Sequence, residues 1–142
     1  MAEIPHFITI NLENAAYIRE RYQAEGKPEI RFKSWWLAFA NFFMNRPFDL
    51  IYMDQISNSE LYEIVGQDPS SAFYSETRKI LEDGQKEGTI KPLELSLLNQ
   101  FVRNAILNVM KLNISKGVSL SQAQIENLVT MCWDAVSVRE AP

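Results

Sequence analysis

Apolar residues recur along most of this chain at the spacings of three and four residues that are typical of helices with one buried face. Five short stretches rich in Gly, Pro or Ser interrupt the pattern: AEGKPE, MNRP, GQDPSS, EGTIKP and SKGVSLSQ. The pattern therefore predicts an all-α protein, a bundle of about six helices. The predicted organisation is an extended or frayed N-terminal segment over residues 1–11, one domain over residues 12–138 and a tail over residues 139–142.

One predicted helix, within RFKSWWLAFANFFMNRP (residues 31–47), is apolar around most of its circumference and is therefore buried on most sides. Its dense apolar run covers only about 15 Å, whereas a membrane span needs about 20 residues, so the stretch does not cross a bilayer. Two interpretations remain open: the rings fill the core, or they line a pocket for an apolar molecule. Trp35 and Trp36 point about 100° apart on a helix, and an indole N–H needs a partner, so at least one of them is expected to face a lined or wet surface.

The last two long predicted helices, joined by a short turn, form an antiparallel hairpin. The first extends over residues 93–116, with Ala105 at the centre of its apolar stripe, and the second extends to about residue 138. Both helices carry more apolar surface than a hairpin packed on one side of a domain can bury. A second copy of the hairpin would cover the surplus, which predicts a homodimer.

Composition and charge limit the possible functions. The 142 residues suit one domain with a sizeable core, and 46% hydrophobic with 23% charged residues is ordinary for a soluble globular protein. A net charge of −4, with Lys and Arg scattered among acidic residues, argues against electrostatic binding of nucleic acid by this chain. A single Cys excludes an internal disulfide, and MAEIPHFITINLEN lacks the basic region of a secretory signal, so a cytoplasmic protein is expected.

The sequence contains no recognisable catalytic or metal-binding motif. His6 is the only histidine, and no cluster of Cys or His with metal-ligand spacing accompanies it. Cys132 lies on the apolar stripe of the last helix, where a free thiol most often acts as a small buried hydrophobe. Glu82 and Asp83 belong to a charged helical face that is typical of a solvated surface. We therefore expect a protein that is not an enzyme and that uses neither a cofactor nor a metal.

Two longer segments resemble TetR/AcrR-family transcriptional regulators. RFKSWWLAFANFFMNRPFDLIYMDQISNSELY (residues 31–62) resembles their central region, in which a helix of the form R-F-x-x-x-W-x-x-x-x-x-F-x-x-x-x-P leads into an aromatic segment ending in Q-x-x-x-S. ILEDGQKEGTIKP (residues 80–92) resembles the family's next helix, which ends in E-G-x-I-K. The closing hairpin, with Trp133 and Ala135 near its end, resembles the family's dimerisation helices, and the similarity covers about residues 12–138.

The resemblance implies a regulatory domain that holds a hydrophobic effector and pairs with a second copy through its last two helices. The implied ligand-binding residues are Trp36, Phe39, Phe43, Tyr52, Phe73 and Phe101. The implied dimer interface consists of Val102, Ala105, Val109, Leu128, Cys132 and Val136.

The resemblance does not extend to a DNA-binding domain, because no basic recognition helix precedes NLENAAYIRERY. Three alternatives are open: an excised regulatory domain, a truncated reading frame, and a regulator that has lost DNA binding. DNA is a partner only if a helix-turn-helix is supplied upstream. The alternative function is a helical protein–protein interaction module with no small-molecule ligand.

Overall fold

The computed structural model describes residues 3–57, 72–117 and 119–139, and these ranges are almost entirely helical. The helices are α1 (Glu3–Arg21), α2 (Pro28–Met44), α3 (Pro47–Ser57), α4 (Ala72–Glu87), α5 (Leu95–Met110), α6 (Leu112–Ser115) and α7 (Gln122–Val136). The predicted all-α class is confirmed. Within GQDPSS, Asp68 before Pro69 is predicted to cap a helix, and this position lies outside the described ranges.

Helix α2 lies at the centre of the bundle and contacts α1, α3, α4, α5 and α7. It begins with Pro28 in its first turn and carries buried residues on almost every side, which confirms the prediction made from its apolar circumference. No helix in the described ranges is long and apolar enough to cross a membrane.

The prediction of an extended N-terminal segment is wrong, because α1 begins at Glu3. Its buried face includes Phe7, Ile10 and Ile18, whereas Leu12 is exposed. The β-branched run FITIN has little intrinsic preference for a helix, but packing of this face against α2 outweighs that preference.

The C-terminal hairpin differs from its prediction in one detail. The helix predicted over residues 93–116 ends at Met110 and resumes as the short α6, with Lys111 at the break. The ammonium of Lys111 donates to the carboxylate of Asp54 in α3 at 3.1 Å, which ties the break to the end of another helix. Helix α7 begins with a capping box, in which the side-chain oxygens of Ser121 and Gln124 each accept from the other residue's backbone N–H, as the pattern Ser-x-x-Gln predicts.

The segment EGTIK after α4 is anchored to the end of α7. The N–H of Lys91 donates to the carbonyl of Val136 at 2.9 Å, and the N–H of Val138 donates to the carbonyl of Thr89 at 2.9 Å. The Lys91 ammonium also donates to the carbonyl of Ala135 at 2.6 Å. We call this set of contacts the 89–91 clamp.

Two glycines allow the clamp to form. Gly88 turns the chain out of α4 with φ +77°, a left-handed conformation that side chains disfavour. Gly84 lies against Ile90, and a Cβ at position 84 would lie only 2.3 Å from Cδ1 of Ile90. The glycines of this stretch are therefore requirements of backbone geometry and of close packing.

Candidate functional site

The aromatic side chains of α2 form one continuous cluster inside the bundle. The ring centroids of Trp36 and Phe39 are 5.2 Å apart and those of Phe39 and Phe43 are 5.4 Å apart, both with edge-on geometry. Trp35 stacks on Phe39 at 5.8 Å, and Phe32 contacts Trp133 of α7 at 5.3 Å. Three of the predicted pocket residues, Trp36, Phe39 and Phe43, are therefore neighbours, and all three are buried.

Of the two surfaces expected for Trp35 or Trp36, lined or wet, the wet one does not occur, because both side chains are buried. The indole N–H of Trp35 instead donates to the Glu76 carboxylate in α4 at 3.2 Å. Arg19 of α1 donates to the same carboxylate at 3.1 Å. The Glu76 carboxylate therefore joins α1, α2 and α4 through hydrogen bonds to one buried donor, the indole, and one exposed donor, the guanidinium. A charged side chain from another helix satisfies the indole, which the sequence alone did not indicate.

The other three predicted pocket residues are not all part of this cluster. Tyr52 of α3 is half-buried, and its ring lies 4.5 Å from that of His6. The side chain of Phe73 lies outside the described part of the structure. Phe101 is 52% exposed on α5, away from the cluster of Trp36, Phe39 and Phe43. An apolar residue on a helix with two apolar lines can face either side, and only packing decides which.

Asn14 is a residue of this region that the sequence analysis missed. It lies on the buried face of α1 between Ile10 and Ile18 and is only 1% exposed. Neither amide atom, Oδ1 or Nδ2, has a hydrogen-bond partner among the residues that the structure describes. Leaving such a group unpaired costs about 1–3 kcal/mol of folding free energy. The sequence feature that could have indicated its burial is the spacing of four residues from Ile10 on one side and from Ile18 on the other.

The dimer interface implied by the sequence is only partly available. Val102, Cys132 and Val136 are buried inside one chain, so they offer no surface to a second copy. Ala105, Val109 and Leu128 are half-buried. Burial raises the pKa of the Cys132 thiol from 9.0 to about 11. The apolar spacing correctly indicated a buried face, but that face meets α2 and α4 of the same chain or the other helix of the hairpin.

A different face of the hairpin exposes apolar side chains. Leu97, Phe101 and Ala105 follow one another at four-residue intervals on α5 and line an open groove of about 650 Å³, together with Ser96, Gln100 and Asn104. On α7, Met131 is 66% exposed. We call Leu97, Phe101, Ala105 and Met131 the outer stripe. The three residues on α5 form one continuous apolar line, and a continuous exposed line of this kind is typical of a surface that another protein covers.

One ion pair ties the start of α2 to α4. The guanidinium of Arg31 donates to the carboxylate of Asp83 at 2.9 Å, and Arg31 is buried. Burial works to lower the pKa of Arg31, but hydrogen bonds to Asp83 and Tyr22 raise it overall. The same hydrogen bond from Arg31 lowers the pKa of Asp83. Asp83 is thus a structural anchor of α4, not merely part of a solvated face. No group of three or more His, Cys, Asp or Glu side chains in the described ranges is arranged to hold a metal ion.

The helix order and the central position of α2 define an all-helical bundle of the type found in TetR-family transcription regulators. A TetR family transcription regulator from Marinobacter aquaeolei VT8 superposes with a TM-score of 0.76 at 18% sequence identity, covering 96% of this chain and 72% of that one. A protein with unknown function from Rhodococcus sp. RHA1 superposes with a TM-score of 0.64 at 16% identity, covering 96% of this chain and 70% of that one. At these identities the two likenesses establish the fold.

The family follows from the sequence match. Residues 28–137 match the family described as "Tetracyclin repressor-like, C-terminal domain", and the chain belongs to it. No curated protein matches the chain. The resemblance noted in the central aromatic helix and in EGTIK is therefore confirmed.

Proposed function

We propose that this chain is the effector-sensing and dimerisation domain of a TetR-like transcription regulator. Its effector is a hydrophobic small molecule held at the aromatic cluster of α2, and its second copy binds at the outer stripe. An effector that binds one arrangement of the helices more tightly than another shifts the population towards that arrangement. In a regulator that carries a helix-turn-helix, this shift would alter the spacing of two DNA-reading helices.

The observation that carries the dimer proposal is the exposure of the outer stripe on both long helices of the C-terminal hairpin. Leu97, Phe101 and Met131 are each more than half exposed in a single chain. Covering such side chains removes apolar surface from water at about 25 cal/mol per Å². Aromatic residues at the centre of an interface commonly carry most of its binding free energy. The proposed interface therefore replaces Val102, Cys132 and Val136 with the outer stripe.

A matched pair of substitutions tests the dimer. Phe101→Glu introduces a charge into the outer stripe, whereas Phe48→Glu introduces the same charge at an 83% exposed Phe on α3. Size-exclusion chromatography with light scattering should give a dimer for the wild type and for Phe48→Glu. We expect Phe101→Glu to raise the dissociation constant at least about 30-fold. A monomeric wild type, or equal weakening by the two substitutions, would contradict the proposed interface.

The effector proposal rests on family membership together with the aromatic cluster of Trp36, Phe39 and Phe43. Because Trp35 and Trp36 belong to or border this cluster, a bound molecule should change the tryptophan emission. A fluorescence screen with apolar and cationic aromatic compounds is the direct test. Saturable binding supports the proposal, and the absence of any saturable change across the screen counts against it.

The second candidate is a protein–protein interaction module with no small-molecule ligand. The close packing of the α2 rings, with the side chains of Trp36, Phe39 and Phe43 all buried, favours this candidate over a pre-formed cavity. The fluorescence screen separates the two candidates, because an interaction module gives no saturable change with any of the compounds.

A further inference from the structure

The amide of Asn14 is the one fully buried side-chain group in the described ranges whose oxygen and nitrogen both lack a hydrogen-bond partner. Asparagine can accept through Oδ1 and donate twice through Nδ2. Burying such a group unpaired opposes folding, so a native structure that retains it calls for an explanation. The two explanations with physical content are a buried water molecule and a polar group of a ligand.

Contacts on either side place Asn14 beside the aromatic cluster. Glu13 pairs with Arg46 at the end of α2, and the Tyr17 ring lies edge-on to Phe42 at 5.6 Å. Helices α1 and α2 therefore run antiparallel here, and Asn14 lies between these two contacts, within about one helical turn of the level of Phe42. Asn14 is buried on the face of α1 that packs against α2, and it therefore lies near the end of the cluster formed by Phe43, which in turn packs on Phe39.

The charges around this position are already neutralised by protein groups. Arg46 is paired with Glu13 and with Asp49, and Arg19 is paired with Glu76. All five of these groups are partly exposed, whereas the Asn14 amide is buried. A ligand carboxylate placed beside Asn14 would lose its hydration without gaining a free cation. A neutral group that both accepts and donates would satisfy both amide atoms at no electrostatic cost.

We propose that Asn14 is the polar recognition residue of the effector site. The effector is an uncharged apolar molecule with a carboxamide or lactam head, whose N–H donates to Oδ1 of Asn14 and whose C=O accepts from Nδ2. This inference rests on the proposed effector-sensing function and specifies the chemical class of its ligand. The Asn14 amide would gain its hydrogen bonds only when the effector is bound. The effector would therefore bind more tightly to the conformation that presents this amide, which is the difference in affinity that a population shift requires.

Three probes with one apolar body test the ligand class: 4-phenylbutanamide, the 4-phenylbutanoate anion and butylbenzene. Binding to the full chain is measured by tryptophan fluorescence for the wild type, Asn14→Leu and Asn99→Leu. Asn99 is the matched control, since it is a buried amide on α5 with an unpaired Oδ1. In the wild type the amide should bind more tightly than the carboxylate and than butylbenzene.

The substitution at Asn14 decides the assignment. Asn14→Leu should weaken the amide about tenfold or more and leave butylbenzene unchanged or tighter, because only the amide loses hydrogen bonds. Asn99→Leu should preserve the wild-type preference. If Asn14→Leu is poorly folded by circular dichroism, Asn14→Ala provides the same comparison without added apolar bulk.

Several outcomes would overturn the inference. Unchanged amide affinity in Asn14→Leu, or an equal loss in Asn99→Leu, would do so. A raised melting temperature in Asn14→Leu with unchanged probe selectivity would assign the amide to a buried water. Binding of butylbenzene but not of the amide overturns the inference and leaves the proposed effector site intact. Failure of all three probes to bind the wild type would contradict this inference, whereas the broad compound screen decides the proposed function itself.

Discussion

At the scale of single residues, Cys132 shows how its surroundings determine chemical behaviour. Its thiol is buried on the inner face of α7, and burial raises its pKa to about 11. The thiolate is the reactive form of cysteine, so a thiol held neutral and out of contact with solvent is unreactive. A cysteine at the surface that receives the second copy would behave differently.

We therefore expect Ellman's reagent to modify Cys132 slowly, if at all, in the folded protein at pH 8 and rapidly after denaturation. Because the thiol is buried inside one chain, the dimer-disrupting Phe101→Glu should not speed the reaction in folded protein. Fast labelling of folded Phe101→Glu, with slow labelling of the wild type, would instead return Cys132 to the dimer interface.

The same thiol gives a pH dependence with a definite sign. Its pKa in the folded state, about 11, is above the ordinary value of 9.0, so between these values the folded state binds more protons than the unfolded state. Stability contributed by Cys132 is therefore present below about pH 9 and is lost as the pH rises towards 11. The decline should be shallower in Cys132→Ala, which serves as the control for other groups that titrate in this range.

Part of the candidate site could be predicted at this scale. Trp36, Phe39 and Phe43 share one helix, so their spacing alone brings them together. Phe101 could not be placed, because α5 carries apolar residues on two sides and only its packing decides which side turns inward. Asn14 could not be recognised as buried, because the first turns of α1, whose Phe7 and Ile10 define the buried face, were predicted to be extended or frayed.

At the scale of elements, the ion pair between Arg31 and Asp83 holds α2 against α4. The guanidinium is the more buried partner, with 9% of its side chain exposed against 28% for Asp83. Removing a carboxylate from a buried cation leaves a charge without compensation, which is costly in proteins. A fully exposed pair contributes little by comparison.

Asp83→Asn should therefore destabilise the protein by about 1–3 kcal/mol, less than a fully buried pair because Asp83 is partly exposed. The control is Glu82→Gln, the neighbouring residue, which pairs with the exposed Arg78 and should cost about 0–1 kcal/mol. Urea denaturation of the two variants and the wild type measures the difference. An equal decrease in the free energy of unfolding for both variants would show that burial of Arg31 does not strengthen its ion pair with Asp83.

Acid should reveal the same pair. The folded-state pKa of Asp83 is lower than its value of 3.8 outside the fold, so its contribution to stability is present above about pH 4 and is lost as the pH falls through the folded pKa. The difference between the wild type and Asp83→Asn should accordingly shrink in that range.

The existence and order of the helices were predictable, and their ends were less so. Pro28, the capping box at Ser121 and the glycine after α4 act through local geometry, which the sequence carries directly. The start of α1 and the break at Lys111 depend on contacts with other elements, such as α2 and Asp54. Such contacts are not encoded in the local pattern of residues.

At the scale of the whole molecule, the outer stripe links stability to concentration. If the folded chain is a dimer and the unfolded chain is not, dilution favours unfolding by mass action. For the wild type and Phe48→Glu we expect the melting temperature to rise by about 2 °C for each tenfold increase in protein concentration. Phe101→Glu should show no such rise. Differential scanning calorimetry over a hundredfold range measures this, and a concentration-independent wild type would contradict dimeric assembly.

The overall architecture was the most predictable property of the chain, and its assembly the least. Helical periodicity together with the motifs around EGTIK identified the bundle and its family. The same periodicity could not separate the face that packs within the chain from the face that receives a second copy, since both require apolar residues at the same spacing. Only the burial of Val102 and the exposure of Phe101 distinguish them.

The 89–91 clamp has a consequence for the order of folding. It joins the loop after α4 to the end of α7, with all of α5, α6 and most of α7 between its two sides. Closing so long a segment costs chain entropy that its few hydrogen bonds repay only when the intervening helices hold its ends together. We therefore expect the hydrogen bonds of the clamp to form late, after α5 and α7 have packed on α2.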